Sequence, residues 1–239
     1  MTSRLTRSPL AGRCERAMKE QLIRRTFFRR DPLKCARELI DAKLIWGKCA
    51  GTVVETEAYF AENDEASHTF SRPSARSFIE QNEAGAAYVY FSYGAHWMLN
   101  VLVKGKEDGF VLIRALEPLS GIELMKKRRG VEDEKRLCSG PGKLTQALDI
   151  TARHHEMDLC AERRHCFAYG SNRIDAPPPR SSPSRAARLR RSALAGSVVD
   201  VVADQRIGIT RSADFPWRFT LRGSQFLSAP VRNEVAAAR

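Results

Sequence analysis

The chain has 239 residues, enough for one large domain or two small ones with a substantial core. Lys and Arg number 40 against 28 Asp and Glu, a formal net charge of +12, so a polyanionic partner such as nucleic acid is expected. No run approaches the roughly 18 uninterrupted apolar residues of a membrane span, and six cysteines without a CxxC pair argue for reduced thiols rather than a disulfide scaffold.

Residues 1–20 read as a flexible basic arm without the apolar stretch of a secretory signal. Asp31 and Pro32 read as the N-cap and first residue of a helix with Leu33, Ala36, Leu39 and Ile40 on one side. A strand is expected over Gly51–Tyr59. Its alternation puts Val53, Glu55, Glu57 and Tyr59 on one face and Val54, Thr56 and Ala58 on the other. Residues 60–86 are polar and read as a long loop with a short helix at Ala75–Glu83. Three apolar segments follow, Ala87–Ser92, Trp97–Val103 and Phe110–Ala115, spaced as neighbouring strands of an antiparallel sheet. Pro118 is expected to open a helix that runs to Arg129, with Leu119, Ile122 and Met125 inward and Gly130 as its stop.

The segment CSGPGK at 138–143 is a Gly-rich turn before a helix carrying Leu144, Ala147 and Leu148. Such a turn can present N–H groups and Lys143 to a phosphate, or simply start a helix; the two readings weigh equally. His154, His155, Cys160, His165 and Cys166 cluster without matching a zinc spacing, so no metal is expected. Asp175–Arg191 is rich in Pro, Ser and Arg and reads as an exposed insertion. Apolar sequence resumes at Ala195–Ala203, and two strand-like pieces follow at Arg206–Ile209 and Trp217–Arg222. The order suits one domain over 21–228 interrupted at about 175–191, with 229–239 as a tail.

Two carboxylates two residues apart on a strand lie roughly 6.6 Å apart by Cα. Glu55 and Glu57 could therefore be an acid–base pair. Alternatively, one activates a water while the other is structural, or both belong to a solvated strand face. Tyr59, Tyr88, Tyr90, Phe91, Tyr93 and Trp97 crowd into short segments. Such rings can sandwich a flat base, or fill a core. His68 and His96 are donor or acceptor candidates, and Asn100 in an apolar strand needs a partner, either a loop or a ligand.

Taken together, FFRRDPLKCARELI at 27–40, VVETEAYFAENDEASHTF at 53–70, AAYVYFSYGAHWMLNVLV at 86–103 and VLIRALEPLSGIELM at 111–125 resemble the alkyladenine DNA glycosylase family, the 3-methyladenine DNA glycosylases of the methylpurine type. RLCSGPGKLTQALDI at 136–150, RIGIT at 206–210 and PWRFTLRGS at 216–224 match in the same order. The resemblance implies a single mixed α/β (α+β) domain around a curved, largely antiparallel β-sheet with flanking helices. It implies Glu57 as the general base that deprotonates the attacking water. Tyr59 and Tyr90 become the walls of a base pocket, His68 a hydrogen-bond donor to the base, and Asn100 the discriminator against a guanine amino group. Tyr93 becomes the side chain that enters the DNA stack, and Arg114 and Lys143 become contacts near the DNA backbone.

The implied activity is monofunctional, hydrolytic excision of 3-methyladenine and 7-methylguanine, with hypoxanthine as a further candidate, leaving an abasic site for base excision repair. No cofactor is implied. The implied partner is double-stranded DNA carrying damaged purines, bound by a monomer in the cytoplasm at the nucleoid, or in the nucleus of a eukaryote. The chain departs from the family pattern at 71–87, where SRPSARSFIEQNEAGAA lacks prolines after Pro73, and at Ser92, His96 and Met98. A catalytically silent damaged-DNA-binding module is the alternative of another class. A carbohydrate hydrolase using Glu55 and Glu57 is disfavoured by the charge.

Overall fold

Residues 21–92, 94–169 and 199–232 are described by the structure, a computed structural model. Two short helices lead in, α1 (Arg25–Phe28) and α2 (Pro32–Glu38). The sequence signal for α2 is realised in detail: Pro32 stands at the first turn and the Asp31 carboxylate accepts the Lys34 N–H at 3.0 Å. Strands β1 (Lys43–Trp46) and β2 (Cys49–Phe60) follow, then α3 (His68–Ser71) and α4 (Pro73–Gln81), which occupy the polar stretch expected to be mostly loop. Next come β3 (Ala87–Ser92), β4 (His96–Lys104) and β5 (Asp108–Ser120), then α5 (Ile122–Arg129) and α6 (Pro141–Leu148). Strands β6 (His165–Ala168), β7 (Val201–Asp204) and β8 (Arg218–Leu221) complete the described elements.

All the strand pairings are antiparallel, in the order β3-β4-β5-β2-β1-β6, with β8 joined to both β2 and β7. The fold is therefore a mixed α/β one, a curved antiparallel sheet in a half-barrel with flanking helices. The main core takes Phe27, Phe28, Ala36 and Leu39 from one side of the chain and Met125, Leu144 and Leu148 from the other. A second apolar cluster lies under α4, where Phe78 and Ile79 pack on Tyr88, Leu102 and Phe110.

Strand β2 positions the site because it has three partners: β1 and β8 along one side and β5 along the other. Its register against β5 shifts between Val53 and Glu55 and again between Glu55 and Thr56. Each shift adds one residue to one strand, first Val54 and then Arg114 of β5. Such bulges bend a strand and re-aim side chains. The strict alternation expected along β2 is therefore broken: Val53 packs in the same apolar cluster as Ala58, not beside the carboxylates. Thr56, which donates to the Ala36 carbonyl at 2.8 Å, keeps the helix side.

Two local expectations differ from the fold. Pro118 does not open a helix; it continues β5 opposite Gly51, at another register shift, where a proline is tolerated. A side chain at Gly51 would meet the Glu117 carbonyl oxygen at 2.8 Å, so β2 needs a glycine there to approach. The helix begins only after Gly121 turns the chain in the left-handed region (φ 72), leaving Leu119 half exposed. Arg206–Ile209 is not a strand either, because its polar groups bond to side chains and loop carbonyls rather than to a ladder. The 175–191 insertion and the 1–20 arm lie outside the described residues.

Candidate active site

A cavity of about 390 Å³ opens between β2, β3, β4, β5, the start of α3 and the loop after β7, within the size range of small-molecule sites. Tyr59, His68, Tyr88, Tyr90, Asn100 and Arg114 all line it. Five elements, β2, α3, β3, β4 and β5, thus bring together five of the eight residues singled out above, and Glu57 is hydrogen-bonded to two of them, Tyr59 and Arg114. Lys143 does not reach the cavity; it is exposed in the first turn of α6, with Ser139 Oγ at 3.4 Å. Pro141 of the same turn does line the cavity. Tyr93 lies outside the described residues.

Glu57 is fully buried. Its Oε2 accepts from the Tyr59 hydroxyl at 2.8 Å and from Arg114 Nη1 at 3.1 Å, and its Oε1 accepts the Ile207 backbone N–H at 2.7 Å. A carboxylate offers about four lone-pair sites, so three donors leave room for one more. Burial pushes the Tyr59 hydroxyl pKa well up and the adjacent Glu57 charge pushes it further, which keeps the hydroxyl a donor.

Glu55, two residues away, is built differently. Its Oε1 accepts from Arg114 Nε at 2.9 Å, Arg218 Nε at 2.9 Å and Ser228 Oγ at 2.7 Å, and its Oε2 accepts the Ser228 N–H at 2.6 Å. Burial alone would raise its pKa, but Arg114, Arg218 and the Ser228 donors outweigh that and hold it below the usual range. Arg218 continues the network to Asp204 Oδ2 at 2.8 Å and to the Ala229 carbonyl at 2.6 Å. Glu55 is thus the anchor of a buried ion-pair network, and Glu57 is its cavity-side end.

Arg114 is itself buried between the two carboxylates, with Nη2 on Ser228 Oγ at 3.2 Å. It lines the cavity as the bridge between Glu55 and Glu57. Burial would lower its pKa, but Glu57 and Glu55 raise it, so it stays charged.

On the opposite side, His68 opens α3. Its ring lies 4.1 Å from the Tyr90 ring, and its Nδ1 is 3.2 Å from the Tyr88 hydroxyl. Burial, aided by the Arg72 charge, lowers its pKa to about 4, so the imidazole is neutral at physiological pH. Asn100 faces Tyr88 across β3 and β4 and donates from Nδ2 to the Tyr88 carbonyl at 3.3 Å. It lines the cavity from an otherwise apolar strand. Exposed Arg72 stands at the cavity wall with its Cζ 5.9 Å from the Tyr90 ring centre.

Tyr88 was one of the rings that the sequence offered for a base or a core, but no role was expected for Ile207, Ser228, Arg218 or Arg206. These four act on the site from segments distant in sequence. For Arg206, Ile207 and Arg218 the one hint was that 206–210 and 216–224 belong to the segments carrying the resemblance.

Residues 26–225 match the family described as methylpurine-DNA glycosylase (MPG). The chain belongs to this family. Relatives provisionally named 3-methyladenine DNA glycosylases agree over nearly the whole length. One from Rhodopseudomonas palustris (strain BisB18) is 42% identical over 211 residues, covering 87% of this chain and 91% of its own. One from Agrobacterium fabrum is 43% identical over 206 residues, covering 86% and 92%, and one from Nitrosospira multiformis is 42% identical over 198 residues, covering 82% and 89%. Membership makes the chain a DNA glycosylase of base excision repair, a DNA-binding enzyme of the DNA-damage response.

Proposed function

We propose that this glycosylase flips damaged purines out of duplex DNA and hydrolyses their N-glycosidic bonds, taking 3-methyladenine and 7-methylguanine and, as a neutral substrate, hypoxanthine. The observation that carries the reading is Glu57, a buried carboxylate with one acceptor site to spare, set behind a cavity walled by Tyr59, His68 and Tyr90. A purine entering between the rings would stack on them, and alkylation at N3 or N7 gives it a positive charge that electron-rich rings favour. Glu57 would hold and deprotonate a water aimed at C1′, with the Arg114 guanidinium fixing the carboxylate. Because the base is a carboxylate and not an amine, no Schiff base forms and the product is an abasic site.

The electrostatics favour the same chemistry. Glu55, Glu57 and Asp204 meet Arg114 and Arg218 in one network, leaving a negative charge in excess beside the cavity. Positive charge developing on the sugar as the bond breaks is stabilised there. A neutral His68 adds no repulsion against a cationic base. Asn100 would present its amide to the base edge and disfavour the amino group of undamaged guanine, a penalty that the positive charge of 7-methylguanine offsets by stacking more strongly on the rings and leaving more readily. Tyr93 would fill the gap left by the flipped base, while Lys143 and the Arg72 side chain would contact phosphates. The enzyme would act as a monomer on nucleoid DNA.

Release of methylated purines from alkylated duplex DNA by wild type and Glu57→Gln tests this. The expected outcome is release by wild type and a loss of at least 100-fold in the variant, within the range general-base removal gives. Undiminished release by Glu57→Gln overturns the assignment of the base. Tight binding to an abasic duplex with no release by wild type would instead identify a silent binding module.

A further inference from the structure

Behind Tyr59 lies a second buried ion pair that none of the steps above uses. Arg206 and Asp64 are joined in a two-point bridge, Nη1 to Oδ2 at 2.6 Å and Nη2 to Oδ1 at 2.9 Å, with both side chains fully enclosed. The guanidinium carbon lies 4.5 Å from the Tyr59 ring centre and 4.8 Å from that of Trp217, so the plane is clasped between two rings. Tyr59 lines the cavity and Arg206 does not, which puts the cation on the ring face away from the incoming base.

The same two residues tie the site's loops together. Arg206 donates to the Ala58 carbonyl on β2 and to the Ser212 carbonyl, both at 3.0 Å. The next residue, Ile207, delivers its N–H to Glu57. Asp64 accepts the backbone N–H groups of Phe60 and Ala66 at 3.1 Å, which folds the turn leading into His68. Arg206 Nε has no hydrogen-bond partner among the described residues.

A cation behind a ring that must receive another cation poses an electrostatic problem. The ring attracts both, but the two positive charges repel across it in a medium of low dielectric. A carboxylate bonded to both terminal nitrogens of the first cation cancels that repulsion and leaves the flat, rigid support. We propose that Arg206 is a positioning residue for base excision and that its pairing with Asp64 is what allows a guanidinium to support the wall that receives a cationic purine. The inference rests on the excision reading above and adds to it a determinant of how well charged lesions are accepted.

Single-turnover release of 7-methylguanine from a duplex, scaled to the fraction of active sites, decides the matter. Asp64→Asn leaves the guanidinium uncompensated and is expected to slow release at least tenfold. Adding Arg206→Met, which removes the charge but keeps a side chain between the rings, is expected to recover at least fivefold of that loss. A double variant as slow as the single one, the result of a purely structural role for Asp64, overturns the inference. Wild-type rates in Asp64→Asn do so as well. Arg206→Lys keeps the charge but cannot reach Asp64, Ala58 and Ser212 together. It is expected to lower kcat about tenfold with KM within about twofold, and an unchanged kcat overturns the inference however Asp64→Asn folds. Should wild type release no base at all, the excision reading fails and this inference with it. An active wild type with an unrescued double variant sinks only the inference.

Discussion

Glu55 and Glu57 are the same residue type, two positions apart and both fully buried, yet their neighbours give them different work. Glu55 neutralises two guanidiniums and caps the Ser228 turn, so Glu55→Gln leaves buried charge unpaired. Breaking such a pair from one side costs about 3–5 kcal/mol. Urea unfolding of Glu55→Gln should show a loss of that order, whereas Tyr59→Phe removes one hydrogen bond to a charged acceptor and should cost about 1.5–3 kcal/mol. Spacing alone left both carboxylates equivalent in the sequence, and it was the family resemblance that singled out Glu57. The groups that distinguish them, Arg218, Ser228 and the Ile207 N–H, stand 150 or more residues further along the chain. His68 carries a pH signature of its own. Its pKa falls to about 4 in the folded protein, by burial and by Arg72, from a value near 6.5 in the unfolded chain. The unfolded state therefore binds more protons between those two values, and stability is lost as pH falls from about 6.5 towards 4. The drop in melting temperature over this interval should be smaller in His68→Gln; an identical drop shows that His68 is not its source.

At the scale of elements, what could be read from sequence was what local chemistry determines. The Asp31–Pro32 start of α2, the turn into α6 and the apolar cores of β3, β4 and β5 all carry their signals within a few residues. Pro118 misled because its strand is stabilised by pairing with β2, a contact some seventy residues away that overrides the helix-start preference of proline. The bulges at Val54 and Arg114 were equally hidden, and they are what turn Arg114 onto the carboxylates. The segment 224–232 has no regular structure, yet it closes the buried network: Ser228 on Glu55, the Ala229 carbonyl on Arg218 and the Arg232 N–H on Asp204 at 2.9 Å. Removing residues 228–239 strips these partners from three buried charged groups at once. The truncated chain is expected to lose about 3 kcal/mol or more in urea unfolding. A chain that unfolds like the full-length protein would show that water replaces the segment without cost.

At the scale of the whole molecule, the charge is divided between inside and outside. The buried charged side chains among the described residues are Glu55, Glu57, Asp64 and Asp204 against Arg114, Arg206 and Arg218. The interior is thus slightly acidic, and the rest of the chain carries all of the positive excess that makes the net charge +12. On the proposed reading, an acidic cavity inside a basic exterior would divide recognition in two: the exterior would hold the phosphate backbone without regard to sequence, and the cavity would select the base. The two parts should separate under salt. Binding of Glu57→Gln to an undamaged duplex, followed by fluorescence anisotropy, should weaken on the order of 10³-fold between 50 and 200 mM salt, the response expected for about six neutralised phosphates. Over the same range the preference for a duplex carrying 7-methylguanine should stay nearly constant, because the cavity's charges are buried and poorly screened. A preference that collapses in step with overall affinity would mean that the lesion is sensed at the surface, through the deformability of the damaged duplex, and not by stacking against Tyr59 and Tyr90.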